Sequence, residues 1–315
     1  MLPRVIVRSG FWNRLRRLVA TITGAVIFVR VAKNLCWGVR LRFDPFCCDV
    51  DGVAHRDMDL PQSLAYVHEV FDDYLRVGGF GPEGLTGSTI LEIGTGDSLG
   101  VALLMIGSGA LRVVCLDRFA TQRDPGAEQV LLAALAEPAP PEVQTRMRGC
   151  FNSGYPTAHG MIRRVAGLPV ERASDTLTPG TFDLIVSRAV FEHVSDIEAA
   201  YVSCLRLLRP GGRMIHKVDL SGHSQVEPHP LHFLTYSDRL WAFMSSNLTR
   251  INRRRWSHHR VAILKAGFRI ERFLPTAVFP RHAVDSIRPR LSSGFKDLSD
   301  EDLAIAGFFV VCRVS

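Results

Sequence analysis

From Ser88 onward the chain alternates short apolar, strand-like runs with helical stretches, and this pattern constrains the fold more than any other feature. Parallel strands need crossover connections, so such a chain builds a mostly parallel sheet with helices on both faces. STILEIG reads as the first strand, GVALLMIGSGA as the first helix and LRVVCLD as the second strand. A helix at GAEQVLLAALA runs into the breaker PAPPE, and MIRRVAG is the third strand. FDLIVSR is the fourth, followed by a helix from Ile197 to Leu208 that stops at RPGG, where a proline and two glycines end a helix and start a strand. GRMIHKVD, FRIERFL and GFFVVCRV supply strands five, six and seven. Roughly fifty residues separate strands five and six, more than a crossover needs, and extra length at the carboxyl end of a sheet is where substrate-binding apparatus sits.

The first strand turns into the first helix through LEIGTGDSLG, Leu91 to Gly100. Gly94 and Gly96 allow a tight turn and a close backbone approach to a ligand. The dinucleotide fingerprint wants a third glycine at position 99, which is Leu99. Glu92 stands two residues before the first glycine, a poor neighbour for a phosphate and a good one for a cation. Asp117 ends the second strand, 21 residues after Gly96, where a carboxylate can accept hydrogen bonds from both hydroxyls of a ribose. A loop that suits a cationic amino-acid group and an acid that suits a ribose together point to S-adenosylmethionine.

LEIGTGDSLG, LDRF, FDLIVSRAVFEHVSD and LRLLRPGGRMI, in that order and at that spacing, resemble the successive motifs of class I S-adenosylmethionine-dependent methyltransferases of the small-molecule type, over about Ser88 to Val218. The resemblance implies a Rossmann-like, seven-stranded, mostly parallel sheet whose last strand is antiparallel. It implies that Gly94, Thr95 and Gly96 approach the methionine part of the cofactor beside Glu92, that Asp117 binds ribose, and that Arg118 and Phe119 flank ribose or adenine. Ser187, near the end of strand four, completes this cofactor set. The acid that touches the adenine amino group in many relatives has two candidates, Glu171 and Asp175. SRAVFEH stands where DNA amino-methylating relatives carry an Asn/Asp-Pro-Pro-aromatic block, which counts against methylation of bases.

On the acceptor side, His193 follows strand four in VFEHV, and HKVDLSGH at strand five brings His216, Asp219 and His223. A hydroxyl acceptor must lose its proton as it attacks, and an imidazole titrates near the working pH. His193, Asp219 and His223 are therefore the catalytic candidates, although His193 also suits a helix start. Imidazole and carboxylate also bind divalent metals, but the spacing, including His229 and His232 in HPLH, matches no tight metal motif, so no metal ligand is assigned. LHFLTYSDRLWAFMSS carries Leu, Phe, Trp and Met at helical spacing and reads as a core or lid face. NRRRWSHHR reads either as a grip on anionic groups of the acceptor or as a solvated helix entrance.

The chain has 315 residues, a net charge of +7 and no repeat or low-complexity tract. It reads as an N-terminal helical extension over residues 1–87 and a methyltransferase domain over 88–315, with a lid-like acceptor-side insertion at about 220–265. The basic balance suits an anionic or glycan-linked acceptor or a membrane surface. Nucleic acid would want a broader basic face with more aromatic platforms. Seven cysteines without a paired motif suit a reducing, cytoplasmic compartment, and Cys47 and Cys48 read as structural. The uncharged run from Leu18 to Val29 is shorter than the roughly 20 residues of a spanning helix. Residues 11–33 therefore read as a helix packed on the protein or one lying at a membrane interface. The expected activity is methyl transfer to a hydroxyl of a sugar, glycan precursor or other small metabolite. N- or C-methylation and a non-catalytic scaffold are the alternatives, and oligomeric state is not legible.

Overall fold

The computed structural model describes residues 4–5, 23–43, 55, 58–81, 84–119, 124–151, 160–223, 229–246 and 251–315. Residues 11–22, Cys47 and Cys48, and parts of the insertion at 224–228 and 247–250 lie outside the described residues. In chain order the main elements are β1 (Arg4–Val5), α1 (Thr23–Phe43), α2 (Leu60–Gly78), β2 (Thr89–Ile93), α3 (Gly100–Gly107) and β3 (Arg112–Asp117). Then come α4 (Pro125–Ala136), α5 (Pro141–Arg148), β4 (Ile162–Ala166), β5 (Phe182–Arg188), α6 (Ile197–Leu207) and β6 (Leu208–Asp219). The chain closes with α7 (Asp238–Ser245), α8 (Trp256–Ala266), β7 (Phe268–Val278), α9 (Arg281–Ile287), α10 (Asp300–Ala304) and β8 (Ile305–Val314).

The strands form one sheet in the order β1-β7-β8-β6-β5-β2-β3-β4. Only β8 runs against its neighbours, pairing antiparallel with β6 and β7. The seven strands expected from the sequence are β2 to β8, with the Rossmann-like arrangement and antiparallel last strand. The two-residue β1 adds to the outer edge through Arg4 opposite Ala277 and Val5 opposite Val278. Because the sheet is covered on both faces, alternate residues of one strand enter different cores. Ile90, Val113, Cys115 and Val186 pack with Val67, Val70, Phe71 and Tyr74 of α2. Leu91, Val114, Ile185 and Met214 pack on the other face with Tyr201 and Cys204 of α6 and Ile263 of α8.

Helix α2 begins in a capping box, in which Gln62 N–H donates to Asp59 Oδ1 at 2.8 Å and Asp59 N–H donates to Gln62 Oε1 at 3.0 Å. It stops at Gly79 in the left-handed conformation. Although α2 falls within the N-terminal stretch of the sequence, it covers the sheet beside the glycine loop. A third apolar cluster joins Phe233, Trp241 and Met244 of the insertion to Phe279, Val284 and Phe295 of the segment between β7 and β8. The LHFLTYSDRLWAFMSS helix thus presents Trp241 and Met244 to a core, and Ile27 and Val31 of α1 pack against the same cluster. Among the described residues no helix is long and apolar enough to cross a membrane.

The basic run in the insertion corrects both sequence readings for two of its arginines. Arg255 is completely buried and donates to the carbonyls of Leu220 (2.7 Å), Leu303 (3.1 Å) and Ile305. Arg253 is buried against Trp241 and Phe295 and donates to the carbonyls of Phe233 and Tyr236 at 3.2 and 2.6 Å, with Asp238 as its ion-pair partner. A guanidinium carries five donors in a rigid fork, so it satisfies several converging loop carbonyls at once. Neither side chain is left to grip an anion.

Candidate active site

Strand order reverses between β2 and β5, and the loops at their carboxyl ends meet there. Gly94 continues the pairing beyond β2 by donating from its N–H to Leu116 O at 2.8 Å, then turns with φ +74°. A Cβ on Gly94 would stand 2.1 Å from Val190 Cγ2. Gly96, with φ +70°, donates to Asp117 Oδ2 at 3.1 Å, and Phe119 N–H donates to Asp117 Oδ1 at 2.9 Å. Asp117 therefore ties the loop to the end of β3 while each oxygen keeps a further lone pair for a ligand. Burial raises its pKa, against the opposing pull of the Phe119 and Gly96 N–H groups and Arg164. The Arg118 guanidinium lies over the Phe119 ring at 5.5 Å.

Behind the loop Ser98 and the N–H of Leu99 both donate to Glu128 Oε1, at 3.1 and 2.8 Å. Glu128, buried on α4, thus anchors the start of α3. Sequence reasoning missed it because it lies in a different helix 29 residues on. Asp97 is buried too and accepts from the N–H of His55 at 3.3 Å.

Glu92 points from β2 toward α2 and is 6% exposed. Its Oε2 takes a weak contact from Cys115 Sγ at 3.8 Å and one from Thr95 Oγ1 at 3.5 Å. Burial lifts its pKa to about 7. His55, Tyr66, Glu92, Gly94, Thr95 and Arg188 line one pocket here. Arg188, at the end of β5, lies over Tyr66 and bridges Glu69 at 2.7 Å and Asp73 at 2.8 Å on α2. The arrangement is a glycine-walled recess with a lightly solvated carboxyl group, fit for a cationic ligand head.

The chain brings the three catalytic candidates together. His223 Nε2 stands 3.2 Å from Asp219 Oδ2, and the His223 and His193 rings are 5.4 Å apart. Ser221 N–H donates to Asp219 Oδ1 at 2.8 Å. Burial would raise the Asp219 pKa, but the bonds from His223 and Ser221 outweigh it and hold the carboxyl below its ordinary range. His223 sits at φ +44° and Ala189, just after β5, at φ +55°, unusual values for residues with side chains. Among the described residues no group of three or more His, Cys, Asp or Glu side chains is arranged to hold a metal ion.

Ser187 departs from expectation. Its side chain is completely buried and pairs with His216 Nδ1 at 2.7 Å, so its hydroxyl does not reach the glycine loop. The period-two alternation of β5 sends Ser187 to the α6 face and Arg188 to the α2 face. His216 is neutral in that core, its pKa pushed down to about 3 by burial. His229 Nε2 donates to Ala283 O at 2.9 Å and lies 3.1 Å from Ser286 Oγ, a structural tie away from the trio. Glu171 accepts from the N–H groups of Ser195 and Asp196 before α6, and Asp175 lies 3.9 Å from Arg172.

A family model described as "Methyltransferase domain" matches residues 64–272, about two thirds of the chain. No curated protein matches the sequence. Among solved structures the chain is similar to an S-adenosylmethionine-dependent methyltransferase from Mesorhizobium loti, with 17% identity and a TM-score of 0.43, covering 77% of this chain and 99% of that one. It is also similar to geranyl diphosphate C-methyltransferase from Streptomyces coelicolor A3(2), with 13% identity and a TM-score of 0.44, covering 81% of this chain and 80% of that one. With a family match over about two thirds of its length, the chain belongs to the methyltransferase domain family.

Proposed function

We propose that the protein transfers a methyl group from S-adenosylmethionine to a hydroxyl of a sugar, glycan precursor or other small, anionic or glycan-linked metabolite in the cytoplasm. The observation that supports a hydroxyl acceptor is the contact of His223 with Asp219 beside His193, at the end of the strand next to β5. When bound, S-adenosylmethionine would supply a sulfonium-activated methyl carbon to the acceptor oxygen, with the neutral thioether as leaving group. Gly94, Thr95 and Gly96 would wall the amino-acid part, Glu92 would face its cationic end, and Asp117 would accept from the ribose hydroxyls. Arg118 and Phe119 would flank the ribose or adenine.

Asp219 orients the His223 ring with Nε2–H toward its carboxylate, which leaves the Nδ1 lone pair to take the acceptor proton. His193 stands beside it as the second imidazole. Alignment and deprotonation are what the chain must provide, because the leaving group is already good. The test is incubation with methyl-labelled cofactor and fractionated metabolites. Label should enter a hydroxylated fraction as a base-stable ether, and the His223→Ala variant should lose that transfer. Label found on nitrogen or carbon, or no cofactor binding at all, would replace this reading with N- or C-methylation or with a scaffold.

A further inference from the structure

Helix α1 carries two apolar faces, and only one of them meets the protein. Ile27 and Val31 pack on the third core cluster, and Asn34, buried between the helices, donates to Phe243 O at 2.9 Å and to Ser246 Oγ at 3.0 Å. These contacts fix the rotation of the helix. Phe28, Leu35, Val39 and Phe43 are left outward, with exposures of 72, 54, 57 and 86%. Their spacing of seven, four and four residues places them in a single stripe along the helix. Phe243, on the α7 turn that Asn34 grips, adds another ring at 59% exposure. A row of large apolar side chains on a rigidly held helix is costly in water and calls for a partner.

Charge indicates which partner. Residues 1–43 contain nine arginines and lysines and no acid, whereas the chain as a whole is only +7. The segment bearing the stripe therefore holds more than all of the net positive charge, and the remaining 272 residues are slightly acidic. On α1 itself Lys33, Arg40 and Arg42 are exposed. We propose that the outward face of α1 docks on an anionic lipid bilayer, lying in the interface with Phe28, Leu35, Val39 and Phe43 among the acyl chains and the basic side chains at the headgroups. Apolar burial and attraction to anionic lipid act together in such helices. The 21 residues of α1 match a span in length, but among the described residues no helix is both long and apolar enough to cross a membrane. A self-associating face would gain nothing from concentrating like charge on itself.

The full-length protein should float with vesicles of phosphatidylcholine and phosphatidylglycerol, stay behind with phosphatidylcholine alone, and be released by salt. Replacing Phe28, Leu35, Val39 and Phe43 together with serine should reduce flotation more than roughly tenfold, with binding of S-adenosylhomocysteine retained as the check on folding. Lys33→Gln and Arg42→Gln combined should weaken flotation through loss of charge, again with S-adenosylhomocysteine binding retained. Absence of the wild-type protein from anionic vesicles would overturn the proposal, as would equal flotation with neutral ones. So would a dimer, seen by light scattering, that the serine variant converts to monomer.

Discussion

Val190 Cγ2 occupies the space in which a side chain on Gly94 would begin, 2.1 Å from where its Cβ would lie. The glycine loop after β2 and the loop after β5 that leads to His193 are thus in van der Waals contact. The glycine is required twice, by this contact and by its φ of +74°. Whatever settles in the glycine recess lies beside the first residues of the loop after β5.

Gly94→Ala should weaken S-adenosylmethionine binding and destabilise the fold by about 2–4 kcal/mol, the sum of left-handed strain and overpacking. Adding Val190→Ala removes the overlap but not the strain, so the double variant should recover part of the loss. Calorimetric titration and thermal unfolding of the two variants read both terms.

Glu92 predicts an opposite pH response for the free and bound protein. Burial raises its folded pKa from an ordinary 4.5 to about 7. Its contribution to stability is therefore complete below about 4.5 and is lost as pH rises through about 7, a loss of about 3 kcal/mol at high pH. Glu92→Gln should remove that loss and stabilise the ligand-free protein above pH 7. A cationic ligand needs the ionised form, so wild-type affinity should fall as pH drops below about 7, and the glutamine variant should be weak at every pH. Denaturant titrations and calorimetry across pH 5–9 separate the two effects.

Asp117→Ala removes an acceptor that ties Gly96 and Phe119 to β3. Cofactor affinity should fall by on the order of 1.5–3 kcal/mol, the worth of hydrogen bonds to a charged group. Unchanged affinity in titration would remove Asp117 from the ribose site.

His223→Ala and Asp219→Asn should each lower kcat by roughly 10²–10⁴ while leaving cofactor affinity nearly intact. Because Asp219 acts through His223, the double variant should be little worse than His223→Ala alone. Single-turnover rates with the identified acceptor check this, and near-normal rates in His193→Ala, Asp219→Asn and His223→Ala would shift the assignment to an acceptor that needs no base.

Arg255→Met should cost about 3 kcal/mol or more, because it leaves the carbonyls of Leu220, Leu303 and Ile305 buried without their donor. The loss should appear in denaturant unfolding and should exceed that of Arg254→Met, whose side chain is exposed.

The antiparallel last strand was implied by the family resemblance, whereas local patterns in the chain were enough for the succession of strands along it, the glycine turn and the place of Asp117 at a strand end. Each rests on short-range physics: β-branched runs, the steric demands of a tight turn, and an acid at a strand end. The trio was legible as three candidates but not as a cluster, since His193 and His223 come from loops after different strands and meet only because β5 pairs with β6. The fates of Ser187, Arg253, Arg255 and Glu128 were not legible at all. Strand alternation gives two faces but does not say which one meets the ligand. A basic run reads as solvated until other loops place their carbonyls around it. Long-range packing sets which polar groups lose water, and that loss of water made a core pair of Ser187 and His216, a cross-link of Arg255 and an anchor of Glu128.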